Sequence, residues 1–236
     1  MNMQKKVIGI IGGIAPGSTI DYYQSIIAGY QKRTGTNQYP SILINSINMT
    51  RMLGYVAEKQ FDLLIKYLHE EIEKLKTGGA DFAVMASNTP HIVFDELRQI
   101  STLPLISIVE TTIAYSKNKG FEKLGLFGTK STMQSGFYQA GAAKENIEIV
   151  IPGIEDQDYI HSHYMNEFVK GIFIDDVRVK LIEIARKLRD NYNISGLILG
   201  GTEIPLILKP ENLPELELIN TTLVHVESIL DYAMSD

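Results

Sequence analysis

Leu197-Ile198-Leu199-Gly200-Gly201-Thr202-Glu203-Ile204-Pro205 is an apolar strand that runs into a two-glycine tip and then a polar turn opening a helix. The same design occurs earlier, in Ala83-Val84-Met85-Ala86-Ser87-Asn88-Thr89-Pro90-His91. Superposing the two sets Ser87 against Gly201, Asn88 against Thr202 and Thr89 against Glu203, an offset of 114 residues. A second pair lies upstream. Gly9-Ile10-Ile11-Gly12, with Ser18-Thr19 and Tyr22-Tyr23, matches Gly125-Leu126-Phe127-Gly128, with Ser131-Thr132 and Phe137-Tyr138, at an offset of 116. Nearly equal offsets predict two halves of one architecture, with the tips facing each other across a cleft.

The rest of the chain follows the same grammar. Val7 to Ile11 is a continuous apolar, β-branched run, the pattern of a strand buried on both faces of a parallel sheet. A glycine turn follows, and Ser18 or Thr19 is placed to cap a helix running to about Arg33. Further strands are expected at 41–47, 82–86, 105–108, 123–127, 147–151 and 196–199. Helices are expected at 58–77, 90–100, 111–119, 131–144, 157–170, 176–192 and 224–233. Strands alternating with helices imply an α/β fold of two pseudo-symmetric lobes, each a parallel sheet flanked by helices, with an active-site cleft between them. Residues 1–117 are assigned to the first lobe and 118–236 to the second, with the C-terminal helix free to cross over to the first.

The 236 residues, 44% of them apolar, suffice for two lobes with full cores. A net charge of −6 and scattered lysines argue against a nucleic-acid role, because phosphate binding needs clustered Lys and Arg. The absence of cysteine excludes disulfides, thiolate metal sites and thiol nucleophiles. The start, Lys5-Lys6 before Val7 to Ile14, imitates a signal peptide, but two glycines and Pro16 interrupt it. No apolar run nears the roughly 20 residues that span a bilayer, so no membrane role and a cytoplasmic location are expected.

Gly12-x4-Gly17-Ser18-Thr19 has phosphate-loop spacing, yet Ser18 stands where that loop needs lysine, which argues against a nucleotide. The turn is either a tight structural corner or a seat for a small anion on helix-start amides. Ser87, Asn88, Thr89, Thr129, Ser131, Thr132 and Thr202 place hydroxyls, an amide and backbone donors at strand ends, where such groups hold a small carboxylate. Arg51 after the second strand is either a surface arginine or a bidentate carboxylate clamp. His161-x-His163 lies in a helical stretch, where residues two apart face different ways, so no metal site is assigned. A hydrolase reading of Ser87 with His91 as base lacks the G-x-S-x-G elbow.

Together these stretches resemble the aspartate/glutamate racemase family, enzymes that need no pyridoxal phosphate and no other cofactor. The resemblance is carried by Ile8-Gly9-Ile10-Ile11-Gly12-Gly13, Ser18-Thr19-Ile20, Tyr22-Tyr23, Asn88-Thr89-x-His91, Gly128-Thr129, Thr132-Met133, Phe137-Tyr138, Glu167-Phe168-Val169-Lys170-Gly171 and Gly201-Thr202-Glu203-Ile204. It implies a small amino or dicarboxylic acid as ligand and a homodimer. In that family two residues, typically cysteines before Asn-Thr and before Thr-Glu, remove and return the α-proton from opposite faces. The matching catalytic positions are Ser87 and Gly201. Ser18, Thr19, Arg51, Asn88, Thr89, Thr129, Thr132 and Thr202 become the substrate-binding set. Because glycine carries no acid, Glu203, a histidine or water is left to serve that side. A racemase of acidic amino acids is therefore the first reading. A catalytically silent binding protein, or a one-base lyase or decarboxylase on the same fold, is the alternative.

Overall fold

The computed structural model describes residues 6–235. Lys5, part of the charged start, lies outside the described residues. The first half runs β1 (Ile8–Gly12), α1 (Pro16–Thr34), β2 (Ile42–Ser46), α2 (Met49–Ala57), α3 (Phe61–Thr77), β3 (Phe82–Met85), a 3-10 turn (Thr89–Val93), α4 (Phe94–Ile100), β4 (Leu105–Ile106) and α5 (Ile108–Asn118). The second runs β5 (Lys123–Phe127), α6 (Lys130–Gln134), α7 (Phe137–Ala143), β6 (Glu148–Val150), α8 (Ile154–Asn166), a 3-10 turn (Phe168–Lys170) and α9 (Asp175–Tyr192). It continues through β7 (Gly196–Leu199), α10 (Ile204–Ile207), a 3-10 turn (Pro210–Asn212), β8 (Glu217–Asn220) and α11 (Thr221–Met234).

Two four-stranded parallel sheets result, ordered β2-β1-β3-β4 and β6-β5-β7-β8. The order is the same in both, so the repeated motifs mark a repeated topology. In each sheet the continuous apolar strands are central. Ile10 of β1 lies opposite Ile44 and Val84, and Leu126 of β5 lies opposite Ile198. Ile10, Val84, Leu126 and Ile198 of the inner strands are buried, as the absence of apolar and polar alternation predicted, whereas Ile44 on the edge strand β2 is exposed. Around the first sheet α3 contributes Leu64, Leu68, Ile72 and Leu75 to a core with Met52, Phe94 and Leu97. Around the second, α9 buries Leu181, Ile184 and Leu188.

The chain divides into two compact units, one of residues 1–108 with 222–236 and the other of 109–221. The boundary therefore falls at the first residue of α5, upstream of the Lys117 region. The cause is packing. A methyl at Gly141 of α7 would lie 2.7 Å from Ile113 of α5, and the Tyr115 hydroxyl donates to Glu217 at 2.6 Å. The C-terminal helix joins the first unit. Lys6 N–H donates to Ala233 O at 3.2 Å, Tyr232 meets Phe82 edge to face at 4.8 Å, and Arg33 pairs with Asp231 at 2.7 Å.

Other local expectations are corrected. Neither Ser18 nor Thr19 caps α1; the cap position is Ala15, with no side-chain bond. Proline at the first helical turn has no N–H to leave orphaned, so the helix opens at Pro16 and both hydroxyl residues lie inside its first turn. Helix α2 precedes α3 as a separate element, ended where Lys59 takes φ +55° and Gln60 N–H reaches Tyr55 O at 2.8 Å. The single helix expected over 131–144 is broken at Gly136, φ +83°, a left-handed value that suits glycine. The helix expected after the Gly200-Gly201 tip is the short α10, and strand β8 was not foreseen.

Candidate active site

Parallel strands bring their carboxyl ends to one edge of a sheet, and in the first unit that edge carries β1, β2 and β3. Strand β1 closes at Gly12, where a methyl would lie 2.6 Å from the Thr19 methyl. The repeat does the same, with a methyl at Gly128 only 2.9 Å from that of Thr132. Each glycine therefore lets a helix-start threonine lean onto its strand end. Thr19 Oγ1 accepts from Gly13 N–H at 2.8 Å, and buried Ser18 donates to Ala86 O at 2.6 Å. Ser18 and Thr19 thus fix the β1 turn against the end of β3.

Beyond β3, Ser87, Asn88 and Thr89 are all buried, and Thr89 opens the 3-10 turn. The Ser87 hydroxyl makes no hydrogen bond among the described residues. His91 is not its base. Its Nδ1–H donates to Ser87 O at 3.0 Å and its Nε2 accepts from Ile108 N–H at 3.3 Å, which fixes the tautomer. The ring stacks on Phe94 at 4.9 Å, and burial pushes its pKa down to about 3. His91 is a neutral brace with both nitrogens engaged. His225 of α11 is a second brace of this kind: its Nε2–H reaches Ile106 O at 3.1 Å, its Nδ1 takes the Tyr22 hydroxyl at 2.8 Å, and burial again sets its pKa at about 3.

Arg51 sits in the first turn of α2, after β2. Its Nε–H donates to the Tyr55 hydroxyl at 3.0 Å, and its guanidinium lies 4.5 Å over the Tyr67 ring. Asn48 caps the helix by accepting from Arg51 N–H at 3.0 Å, while its own N–H reaches the Tyr67 hydroxyl at 3.0 Å. No carboxylate among the described residues forms an ion pair with Arg51. The guanidinium is exposed, oriented by two aromatic rings and a cap, and open to an anionic ligand.

In the second unit, Thr129 caps α6, its Oγ1 accepting from Thr132 N–H at 3.2 Å and lying 3.0 Å from the fully buried Thr132 hydroxyl. At the end of β7, Thr202 Oγ1 donates to Glu203 Oε2 at 2.9 Å, and the Tyr164 hydroxyl donates to the same oxygen. All three residues are buried. Burial and the adjacent Glu203 charge raise the Tyr164 pKa well above that of a free phenol. The Tyr164 ring also occupies the space beside Gly201. A methyl at 201 would lie 2.4 Å from Tyr164 Cε2 and 3.1 Å from Cζ. Sequence reasoning missed Tyr164, since nothing local to the stretch around 164 signals that a residue of α8 fills a slot at the end of β7.

His161 and His163 go to different partners. His161 Nδ1 accepts from Lys130 N–H at 3.2 Å, whereas His163 stands 2.9 Å from Glu167. Among the described residues no group of three or more His, Cys, Asp or Glu is placed to hold a metal ion. No helix among them is long and apolar enough to cross a membrane.

Two units of one topology, each a parallel sheet with hydroxyl-rich turns at its central strand ends, define a duplicated α/β protein. The family model described as Asp/Glu/Hydantoin racemase matches residues 11–229, and the chain belongs to that family. It is 30% identical over 138 residues to the broad specificity amino-acid racemase RacX of Bacillus subtilis, covering 56% of this chain and 59% of that relative. It is 23% identical over 210 residues to the glutamate racemase of Aquifex aeolicus, covering 84% of this chain and 76% of that one. Among solved structures, an aspartate racemase homologue from Pyrococcus horikoshii superposes with a TM-score of 0.84 at 29% identity, covering 98% of this chain and 100% of the other.

Proposed function

We propose that the chain acts on a small acidic amino acid of the aspartate or glutamate type, moving its α-proton without pyridoxal phosphate. The observation that carries this reading is Arg51, a guanidinium oriented by Tyr55 and Tyr67 at the strand-end edge of the first unit, with no carboxylate among the described residues paired to it. Family membership and the names of the relatives support the same ligand class. The hydroxyls and amide of Ser87, Asn88 and Thr89, at the strand-end edge of the same unit, supply the remaining polar contacts. The working protein is proposed to be a homodimer in the cytoplasm, and light scattering showing a monomer would remove the first of those claims.

The experiment is α-hydrogen exchange. The protein is incubated in D2O with each enantiomer of aspartate and glutamate, and the α-hydrogen is followed by NMR. Loss of the α-proton signal supports the reading, and absence of exchange with all four ends it. Binding without exchange would establish the alternative, a silent receptor. That alternative draws on the Ser87 hydroxyl lacking a base and on Gly201 lacking a side chain. Replacing Arg51→Gln is expected to weaken acidic amino-acid binding by on the order of tenfold or more, measured by calorimetry, as a charge-assisted bond is lost. Equal affinity for the variant would show that Arg51 is a surface residue.

A further inference from the structure

We propose that Tyr164, backed by Glu203, is the proton-carrying group at the end of β7. This rests on the proposed α-proton chemistry and names the group that performs it. The side-chain slot of residue 201 is not empty. A methyl built on Gly201 lies 2.4 Å from Tyr164 Cε2 and 3.1 Å from Cζ, the carbon that bears the phenol oxygen. The ring thus occupies the place that a side chain at 201 would take, with the phenol oxygen one bond beyond Cζ. Its hydroxyl donates to Glu203 Oε2, which also accepts from Thr202 Oγ1 at 2.9 Å. The arrangement is a phenol held between the β7 tip and a buried carboxylate, with its ring fixed edge-on to Phe168 at 6.1 Å.

Such a pair relays a proton. As the substrate α-C–H bond breaks, the phenol oxygen takes that proton while its own passes to Glu203 Oε2. The electron pair stays on the α-carbon and spreads into the substrate carboxyl group as an enediolate. While the enediolate persists, the proton held by Tyr164 and Glu203 is replaced from solvent, so that in D2O reversal returns a deuteron to the carbon from the same face, and the phenol and carboxylate recover their starting forms. Phenol and carboxylate each change partner without net loss of a proton, so no co-reactant is needed. At the end of β3 in the first unit no comparable pair stands among the described residues, because His91 is neutral and both its nitrogens serve the backbone. Exchange is therefore expected to outpace inversion of configuration.

The test compares the wild-type chain with Tyr164→Phe and Glu203→Gln in the D2O assay, with aspartate and glutamate binding measured on each. Tyr164→Phe keeps the ring over Gly201, and circular dichroism checks that both variants stay folded. The expected result is a loss of exchange of about 10²- to 10⁴-fold in Tyr164→Phe with ligand affinity held, the size typical of removing a general acid or base. Glu203→Gln is expected to lose exchange too and to shift its pH profile, a change that a merely structural role would not produce. Exchange at the wild-type rate in Tyr164→Phe would overturn the assignment of Tyr164 alone. An inert wild-type chain that still binds its ligand would overturn the α-proton reading and this assignment together.

Discussion

Acidification from pH 7 toward pH 4 is expected to destabilise the first unit by several kcal/mol, through His91 and His225. Both imidazoles are buried and neutral, with pKa values lowered from 6.5 to about 3. In the unfolded chain each recovers an ordinary value near 6.5 and binds a proton that the folded chain refuses. Where the unfolded state holds more protons, stability rises with pH. The contribution is therefore complete above about pH 6.5 and is lost progressively as pH falls toward 3. In that window each histidine costs about 1.4 kcal/mol per pH unit. The two are coupled, because a charge on His225 further disfavours one on His91, and nearby Arg98 acts in the same direction. Urea denaturation at pH 7, 6 and 5 measures the slope. His225→Gln, whose amide can still donate to Ile106 O and accept from Tyr22, is expected to flatten it. An unchanged slope in that variant, or histidine NMR titrations centred near 6.5 in the folded protein, would contradict the assignment.

The sequence disclosed most of the architecture because the evidence for it is local. The runs Val7 to Ile11, Lys123 to Phe127 and Gly196 to Leu199 are short and dominated by apolar residues and glycine, and strands appear there with at most a residue's difference at either end. The repeated tips disclosed the duplication, since the two sheets share one strand order. What stayed hidden depends on contacts distant in sequence. Helix α2 fully buries only Met52, so its apolar face is a weak signal in the sequence. His91 is compatible with a catalytic base in sequence, and only the Ser87 carbonyl and the Ile108 amide reveal a brace. Arg51 gained weight for the converse reason, since its orientation comes from Tyr55 and Tyr67. Gly201 was legible as a missing side chain. That Tyr164, 37 residues upstream, fills the gap required a folded chain.

Cysteine introduced at 201 is expected to lower the stability of the second unit by about 1–3 kcal/mol or more, the cost of overpacking a filled site. The first atom of the new side chain would already lie 2.4 Å from Tyr164 Cε2 and 3.1 Å from Ile204 Cδ1. The ring cannot swing aside freely, because its hydroxyl is bonded to Glu203 and its edge meets Phe168. Ser87→Cys, close to isosteric, carries no comparable steric penalty. A double-mutant cycle separates steric conflict from other causes. Gly201→Cys is expected to cost less in a Tyr164→Val background than alone, with a coupling of about 0.5–3 kcal/mol, as for residues in direct contact. Urea midpoints of the four proteins give that coupling, and additive losses would show that the ring is not the obstacle. A chain bearing thiols at both strand-end positions thus needs three replacements, Ser87→Cys, Gly201→Cys and Tyr164→Val. The third removes the phenol proposed to carry the proton, so the triple variant is expected to exchange deuterium through thiols, with inversion rising to keep pace with exchange.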